Sequence, residues 1–189
     1  MFETAEQPAV PAITGLSVVR EAVSPEEAER LAARVDAAQP TPFQFGPWEG
    51  KRRTANFGSA YDYQRARPVE APPMPDWLRG LCSRLAPRFG RDPADFAQAL
   101  VTRYDAGAGI GWHRDRPQYG EVIGLSLGQP AVMRLRRQRA DGTFERAQFP
   151  LEPQAAYLLS GPVRWEWQHS IAPLGATRWS ITFRTLRAA

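Results

Sequence analysis

The stretch Gly111-Trp-His-Arg-Asp115 and its distant counterpart Trp165-Glu-Trp-Gln-His-Ser170 contain both histidines of the chain. His113 and Asp115 are two positions apart, so in an extended strand their side chains project to the same face. His169 comes from far along the chain. Two imidazoles and one carboxylate match the facial triad that holds non-haem Fe(II) and leaves coordination positions open. The two stretches therefore predict a metal centre built on extended strands.

A third stretch, Arg178-Trp-Ser-Ile-Thr-Phe-Arg184, alternates polar and apolar residues with the period of a β-strand. Arg178, Ser180, Thr182 and Arg184 would line one face, and the apolar residues would pack behind them. Six residues of strand span roughly 20 Å, so we expect the two arginines to reach a small dicarboxylate from either end. An arginine fork binds a carboxylate bidentately, which a lysine does less well.

The second half of the chain has the pattern of an all-β core. From Phe96 onward, short runs of β-forming residues are separated by Gly, Pro or Asp-Gly signals. We expect strands near 97–104, 109–113, 121–127, 131–137, 143–149, 155–159, 165–169 and 178–186. Trp165, Trp167 and His169 would then share one strand face, with the tryptophans walling off the metal site.

Two helices are predicted in the first half. Ser24 is a good N-cap, Pro25 suits the first helical position, and Glu27 would close a capping box. The apolar residues from Trp77 to Leu85 recur at helical spacing. Both helices should support the sheet and carry no chemistry.

Four stretches follow one another in the second half of the chain: Arg103-Tyr-Asp-Ala-Gly107; His113-Arg-Asp115 with Gly124-Leu-Ser-Leu-Gly128; Leu159-Ser-Gly161 leading to His169; and Arg178 to Arg184. With these four stretches in this order, the sequence resembles the AlkB-like Fe(II)/2-oxoglutarate dioxygenases over residues 96–187. The resemblance implies a mainly β fold with flanking α, in which N-terminal helices buttress a double-stranded β-helix, or jelly-roll, core. It also implies that His113, Asp115 and His169 are the catalytic metal ligands.

The cofactors implied by the resemblance are Fe(II) and 2-oxoglutarate, with O2 as co-substrate. Arg178 would hold the distal carboxylate of 2-oxoglutarate with help from Tyr104, and Arg184 would complete the site. Where family members carry asparagines, this chain has Thr102 and Ser180. Both replacements keep a hydrogen-bonding group, so we expect them to serve the same cofactor.

The activity implied by the resemblance is oxidative demethylation of alkylated bases in DNA or RNA, that is, repair of alkylation damage. One departure concerns Pro117, which stands where the alkylated-base repair enzyme has an acidic residue facing the damaged base. An alternative with the same chemistry is a hydroxylase or demethylase that acts on a protein or a modified tRNA. A non-enzymatic jelly-roll binding module is a third alternative, which the intact metal and cofactor residues disfavour.

Residues 40–68 are expected to be irregular, aromatic and basic, and they occupy the position of the family's substrate lid. Aromatic rings interleaved with arginines suit stacking on bases and contacts to phosphates. The alternative is that these rings pack on the core beneath a long loop. The candidate substrate residues are Trp48, Arg53 and Tyr61 in this segment and Trp112, Arg116 and Trp165 beside the metal site.

The charge pattern favours a nucleic-acid partner, although it does not require one. The net charge is +4 and the pI about 9.7, but Lys51 is the only lysine, a bias that often reflects genome composition. A predicted hairpin around Asp141-Gly142 carries five arginines that could touch phosphates without reading sequence. The alternative is a solvated hairpin face. The five are Arg134, Arg136, Arg137, Arg139 and Arg146.

The 189 residues suit a single domain, with helices and lid over 1–95 and the catalytic core over 96–187. The single cysteine, Cys82, excludes an internal disulfide and suits a reducing compartment. The first residues lack the basic and apolar regions of a secretory signal, and no apolar run approaches a membrane span. We therefore expect a cytoplasmic monomer that does not bind membranes.

Overall fold

The computed structural model describes residues 10–45, 47–62 and 67–187; the side chains at 45, 48, 59–62 and 67–70 are not described. Three α-helices lie in these ranges: α1 (Pro25–Ala37), α2 (Asp76–Leu85) and α3 (Gly161–Trp165). The strands are β1 (Leu16–Val19), β2 (Thr41–Phe45), β3 (Trp48–Phe57), β4 (Ser59–Asp62), β5 (Arg67–Glu70), β6 (Phe96–Tyr104), β7 (Ile110–His113), β8 (Tyr119–Gly128), β9 (Ala131–Gln138), β10 (Phe144–Leu151), β11 (Ala156–Leu159), β12 (Gln168–Ile171) and β13 (Arg178–Leu186).

Two antiparallel sheets form the body of the molecule. The large sheet has the order β1-β11-β8-β13-β6-β3-β2, and the small sheet has the order β10-β9-β12-β7. Residues of both sheets line a single cavity, so the sheets face one another across it. Strands β4 and β5 form a separate hairpin. This is the predicted mainly β, jelly-roll architecture.

Seven of the eight strands expected in the second half begin and end close to the predicted positions, but the strand at 165–169 was wrongly placed. Residues 161–165 form the short helix α3, because Ser160 turns the chain and Pro162 suits a first helical turn. The strand β12 begins only at Gln168. Trp165 and Trp167 therefore do not share a strand face with His169, which is a correction.

The expectation that residues 40–68 are irregular was also wrong. Strands β2 and β3 form a hairpin that joins the edge of the large sheet, where Arg52 pairs with Tyr104 and Thr54 pairs with Thr102. The edge of β6 supplies hydrogen-bond partners for β3 that lie far away in sequence. A local pattern does not reveal such partners.

Helices α1 and α2 pack their apolar sides on the large sheet in one core. The Ser24 side chain accepts from the Glu27 backbone N–H at 3.2 Å, as an N-cap should. The reciprocal half of the predicted capping box is absent, because the Glu27 carboxylate binds Arg84 of α2 instead. At the other end of α1, Asp36 accepts from the Trp179 indole at 2.7 Å and so ties the helix to β13.

Among the described residues, no helix combines the length and apolar character needed to cross a membrane.

Candidate metal and cofactor site

Strands β7 and β12 bring the three predicted metal ligands together. His113 and His169 are cross-strand partners, and their ring centroids lie 4.2 Å apart. Asp115 follows two residues after β7, with its Oδ1 4.0 Å from His113 Nε2. One ligand atom from each of the three residues lies within 4.8 Å of the others. This donor set and spacing fit a single Fe(II) ion bound on one face.

A backbone contact orients the first imidazole. His113 Nδ1 lies 2.8 Å from the Gly111 carbonyl oxygen, which can only accept, so Nδ1 carries the proton. Nε2 is left with its lone pair towards Asp115 and His169. Burial lowers the pKa of both imidazoles, that of His169 to about 3, so both rings are neutral at neutral pH. Neutral imidazoles bind a metal without first losing a proton.

Asp115 is held by Arg184. The Arg184 Nε and Nη2 donate to the two carboxylate oxygens at 3.2 and 3.3 Å, and Nη1 donates to Gln98 Oε1 at 3.0 Å. Burial alone would raise the pKa of Asp115, but Arg184 and the two imidazoles hold it well below its usual range. The carboxylate is therefore ionised and fixed in orientation before any metal arrives.

The loop that carries Asp115 is fastened from α3. Arg164 is buried, and its guanidinium donates to the carbonyl oxygens of Gly120 at 2.7 Å, Tyr119 at 2.7 Å and Arg116 at 2.9 Å. In return, Arg114 Nη1 donates to the Trp165 carbonyl at 3.0 Å. Residues on both sides of Asp115 are thus tied to one short helix. The sequence analysis did not identify this role of Arg164.

Arg178 lies at the far end of the cavity, and one of its guanidinium nitrogens has no hydrogen-bond acceptor among the described residues. Its side chain is 1% exposed, its Nε donates to Ser126 Oγ at 3.3 Å, and its Nη1 is buried with no partner among the described residues. The Arg178 guanidinium also lies 5.1 Å from the Tyr104 ring centroid. A buried, unpaired guanidinium N–H is costly unless a ligand satisfies it. A carboxylate of 2-oxoglutarate fits this position.

The two hydroxyl residues that replace family asparagines face the same cavity. Thr102 and Ser180 are cross-strand partners, and both line it. Arg178, Ser180, Thr182 and Arg184 all line it too, as the alternation in β13 predicted. The structure thus brings all the candidate cofactor residues to one cavity of about 910 Å³.

Tyr157 is a cavity residue that the sequence analysis missed. It lies on β11 opposite Gly124, and a Cβ at Gly124 would come within 2.4 Å of the Tyr157 hydroxyl. Glycine at this position therefore makes room for the tyrosine. Burial raises the pKa of Tyr157 to about 12, so its hydroxyl stays protonated and can donate to a cavity ligand. No motif marks Tyr157, because only the pairing of β11 with β8 turns it inward.

The candidate substrate residues divide into three groups. Trp112, Arg116 and Trp165 line the cavity as expected. Arg53 does not line the cavity: its side chain lies on the opposite face of β3 and binds Asp105 at 3.1 Å, while its neighbour Arg52 lines the cavity. The side chains of Trp48 and Tyr61 lie outside the described residues. Trp167 packs in the core of the small sheet and does not line the cavity.

Comparisons with known proteins agree with this site. Residues 15–184 match the family model of the 2OG-Fe(II) oxygenase superfamily. A relative from Macaca fascicularis, "tRNA (carboxymethyluridine(34)-5-O)-methyltransferase ALKBH8", is 29% identical over 83% of this chain and 24% of its own length. A relative from Arabidopsis thaliana, "Alkylated DNA repair protein ALKBH8 homolog", is 28% identical over 84% of this chain and 51% of its own length. The chain thus spans about a quarter and about half of these two relatives.

Solved structures show the same fold. "The structure of OsALKBH1" superposes with a TM-score of 0.73 at 15% identity, covering 94% of this chain and all of that one. A prolyl-4-hydroxylase from Pseudomonas putida superposes with a TM-score of 0.57 at 15% identity, covering 93% of this chain and 94% of that one.

A jelly-roll with two histidines and a carboxylate in its cavity defines a non-haem iron enzyme, and the family match makes the class specific. The chain belongs to the 2OG-Fe(II) oxygenase superfamily, whose dioxygenases use Fe(II) and 2-oxoglutarate. Within the superfamily, the ALKBH8 relatives confirm the AlkB-like resemblance.

Proposed function

We propose that the protein is an AlkB-like dioxygenase that removes alkyl groups from bases in DNA or RNA by oxidation. The supporting observation is that the three metal-ligand residues, several arginines and two tryptophans all line one cavity. Trp112 and Trp165 offer ring faces for a base, while Arg52, Arg114 and Arg116 offer positive charge for phosphates. A target base would leave its stack to enter such a cavity.

In this proposal each part of the cavity has one task. Fe(II) and 2-oxoglutarate, when bound, supply O2 activation and oxidation of a substrate C–H bond. His113, Asp115 and His169 hold the metal, and Arg184 keeps Asp115 ionised and oriented. Arg178 and Tyr104 hold the distal carboxylate of 2-oxoglutarate, with Thr102 and Ser180 beside them. The chain positions the reactants and keeps bulk water away from them.

The charge of the lining supports a second candidate, a modified tRNA base that carries no positive charge. The carboxylates among the described lining residues are Glu49 and Asp115, and Asp115 is already bound by Arg184. Pro117, after Asp115, offers no charge. Among the described lining residues, a cationic base such as 3-methylcytosine would therefore meet more arginines than carboxylates. The macaque relative is named for a carboxymethyluridine in tRNA, and the same site would suit such a base. Hydroxylation of a protein remains a third outcome for the test.

The first experiment measures succinate formed from 2-oxoglutarate and Fe(II) under air, with His169→Ala as the blank. Single-stranded oligonucleotides would carry 3-methylcytosine, which is cationic, or 3-methyluracil, which is neutral and differs only in its exocyclic group. Stimulation of succinate together with formaldehyde release would support base demethylation. A preference for the neutral base would favour the uncharged class of target.

Other results would redirect the proposal. Slow succinate that ignores both oligonucleotides contradicts the demethylation of these bases and directs the search to tRNA hydroxylation and to proteins. Succinate formed equally by His169→Ala would overturn the assigned metal ligands.

A further inference from the structure

The outer face of the small sheet carries a group of arginines and aromatic rings, of which only Trp112 also lines the catalytic cavity. In β9, the side chains of Met133 and Leu135 are buried, whereas those of Arg134 and Arg136 point to the other face. Trp112 of β7 and Phe144 of β10 lie on this face too, since both contact arginines there. We call Trp112, Arg134, Arg136, Phe144 and Arg146 the arginine-aromatic face.

Guanidinium groups and aromatic rings alternate along this face, and each guanidinium group lies over a ring. The Arg134 and Arg136 guanidinium carbons lie 5.3 and 4.5 Å from the Trp112 ring centroid. Arg136 also lies 4.5 Å from the Phe144 ring, and Arg146 lies 5.7 Å from it. Guanidinium groups held over rings are already ordered, so binding a ligand costs them little further entropy. Arg136 Nε donates to Gln168 Oε1 at 2.8 Å, and Arg134 Nε is buried with no partner among the described residues.

The charges of this face are not neutralised locally. Within the part of the chain that the structure describes, Arg134, Arg136 and Arg146 form no ion pair with a carboxylate. Their neighbour Arg137, on the opposite face of the same strand, binds both Glu145 at 2.8 Å and Glu166 at 2.6 Å. The positive charge is therefore concentrated on one side of the sheet.

This face adjoins the catalytic cavity. Trp112 belongs to the face and also lines the cavity, and it immediately precedes the metal-site residue His113. His169 pairs with Leu135, which lies between Arg134 and Arg136 in β9. A chain bound along the face would thus reach the cavity at Trp112.

We propose that the arginine-aromatic face binds the nucleotides next to the target base in single-stranded nucleic acid. This inference rests on the proposed function and assigns it a binding surface. Phosphates pair with the guanidinium N–H groups, and unstacked bases stack against the alternating rings and guanidinium planes. A duplex would keep its bases stacked inside and offer the rings nothing. An acidic peptide would use the charges alone, whereas nucleic acid uses both the charges and the aromatic surface, so nucleic acid fits the face better.

The test compares two adjacent arginines of the same strand. The full-length protein with Fe(II) and 2-oxoglutarate is kept under nitrogen, so no turnover occurs, and binds a fluorescent unmodified single-stranded oligonucleotide of twelve or so nucleotides. Anisotropy is measured over a range of salt concentrations. Arg136→Gln should weaken binding several-fold and lower the salt slope by about 0.7, the value for one phosphate contact on a single strand. Arg137→Gln makes the same formal charge change and should leave the slope unaltered.

A second variant tests the stacking part separately from charge. Phe144→Leu keeps an apolar side chain but removes the ring, and it should weaken binding at least about fivefold, the lower end for loss of one stacked base. Circular dichroism and the melting temperature of each variant would verify its fold.

The outcomes separate this inference from the proposed function. Weaker binding by Arg136→Gln and Phe144→Leu, without demethylation of any base, supports the face and overturns the proposed activity. Demethylation with equal binding by Arg136→Gln and Arg137→Gln overturns the face and leaves the activity standing. Failure of the wild-type protein to bind the oligonucleotide overturns the face, as does stronger binding of duplex than of single strand.

Discussion

At the residue scale, two arginines that look equivalent in sequence have different surroundings. Arg178 and Arg184 share one face of β13, yet Arg184 is bound by Asp115 and Gln98 while Arg178 keeps an unpaired Nη1. Only Arg178 is therefore poised for an incoming carboxylate. Arg184 instead serves the metal side of the cavity through Asp115.

Arg178→Gln should weaken 2-oxoglutarate binding about 10- to 100-fold, because it removes charge-assisted hydrogen bonds to the distal carboxylate. Isothermal titration with Mn(II) in place of Fe(II) measures this affinity without turnover. The matched ligand 2-oxopentanoate lacks the distal carboxylate and should bind the wild type and the variant alike. Equal losses for both ligands would contradict the assignment of Arg178 to the distal carboxylate.

Tyr157→Phe should reduce 2-oxoglutarate affinity several-fold. The ring remains edge-on to Phe149, with centroids 6.0 Å apart, so only the hydroxyl is lost. That hydroxyl faces the cavity, and its raised pKa of about 12 keeps it a donor. The same titration measures the effect, and an unchanged affinity with unchanged stability would show that Tyr157 only packs.

At the scale of elements, strands β8 and β11 pack closely because Gly124 on β8 lies opposite the large side chain of Tyr157 on β11. Gly124→Ala would place a Cβ 2.3 Å from the Tyr157 ring, and we expect a loss of about 1–3 kcal/mol in the free energy of unfolding. Tyr157→Val should relieve part of that loss in the double variant, since the two changes share one contact. Urea denaturation of the four proteins gives the coupling, and strictly additive losses would count against the contact.

The short helix α3 is expected to hold the metal loop. Arg164→Met leaves three carbonyl oxygens, those of residues 116, 119 and 120, without their donor. We expect weaker Mn(II) binding as well as lower stability, because the residues after Asp115 lose their anchor. Leu78→Ala in the helical core should lower stability with little change in metal affinity. Similar metal affinity in Arg164→Met and the wild type would show that the loop is held by other contacts.

At the scale of the whole molecule, helices and sheet share one core, and Cys82 lies in it. Burial raises the pKa of the Cys82 thiol to about 11, whereas an exposed thiol ionises near 9.0. The unfolded chain therefore loses its proton first as pH rises. The contribution of this thiol to the free energy of unfolding is therefore constant below about pH 9. It decreases between about pH 9 and pH 11, by up to about 1.4 kcal/mol per pH unit.

Cys82→Ala removes this dependence. The variant should be less stable at pH 7 because of the cavity it creates, but its stability should fall less steeply above pH 9. Chemical denaturation across this range compares the two slopes. Parallel curves would show that the Cys82 thiol does not contribute.

We also propose that residues 10–187 unfold in one transition, as expected for a single domain.

The sequence by itself determined the features that local patterns encode. The period of two in β13, the apolar spacing of α2 and the Ser24-Pro25 start of α1 all follow from short-range geometry, and the structure has them. The ligand pattern His113, Asp115 and His169 likewise predicted a common site before any strand was paired. The jelly-roll class and the cofactors followed from these patterns and the resemblance, and both are confirmed.

Only the tertiary structure decided which face each strand turns inward. Arg52 rather than Arg53 faces the cavity because β3 pairs with β6. Arg137 is neutralised and Arg136 is not, because Glu145 and Glu166 come from other elements. The physical reason is that hydrogen-bonding edges, burial and charge pairing depend on partners distant in sequence, whereas strand and helix periods depend on near neighbours.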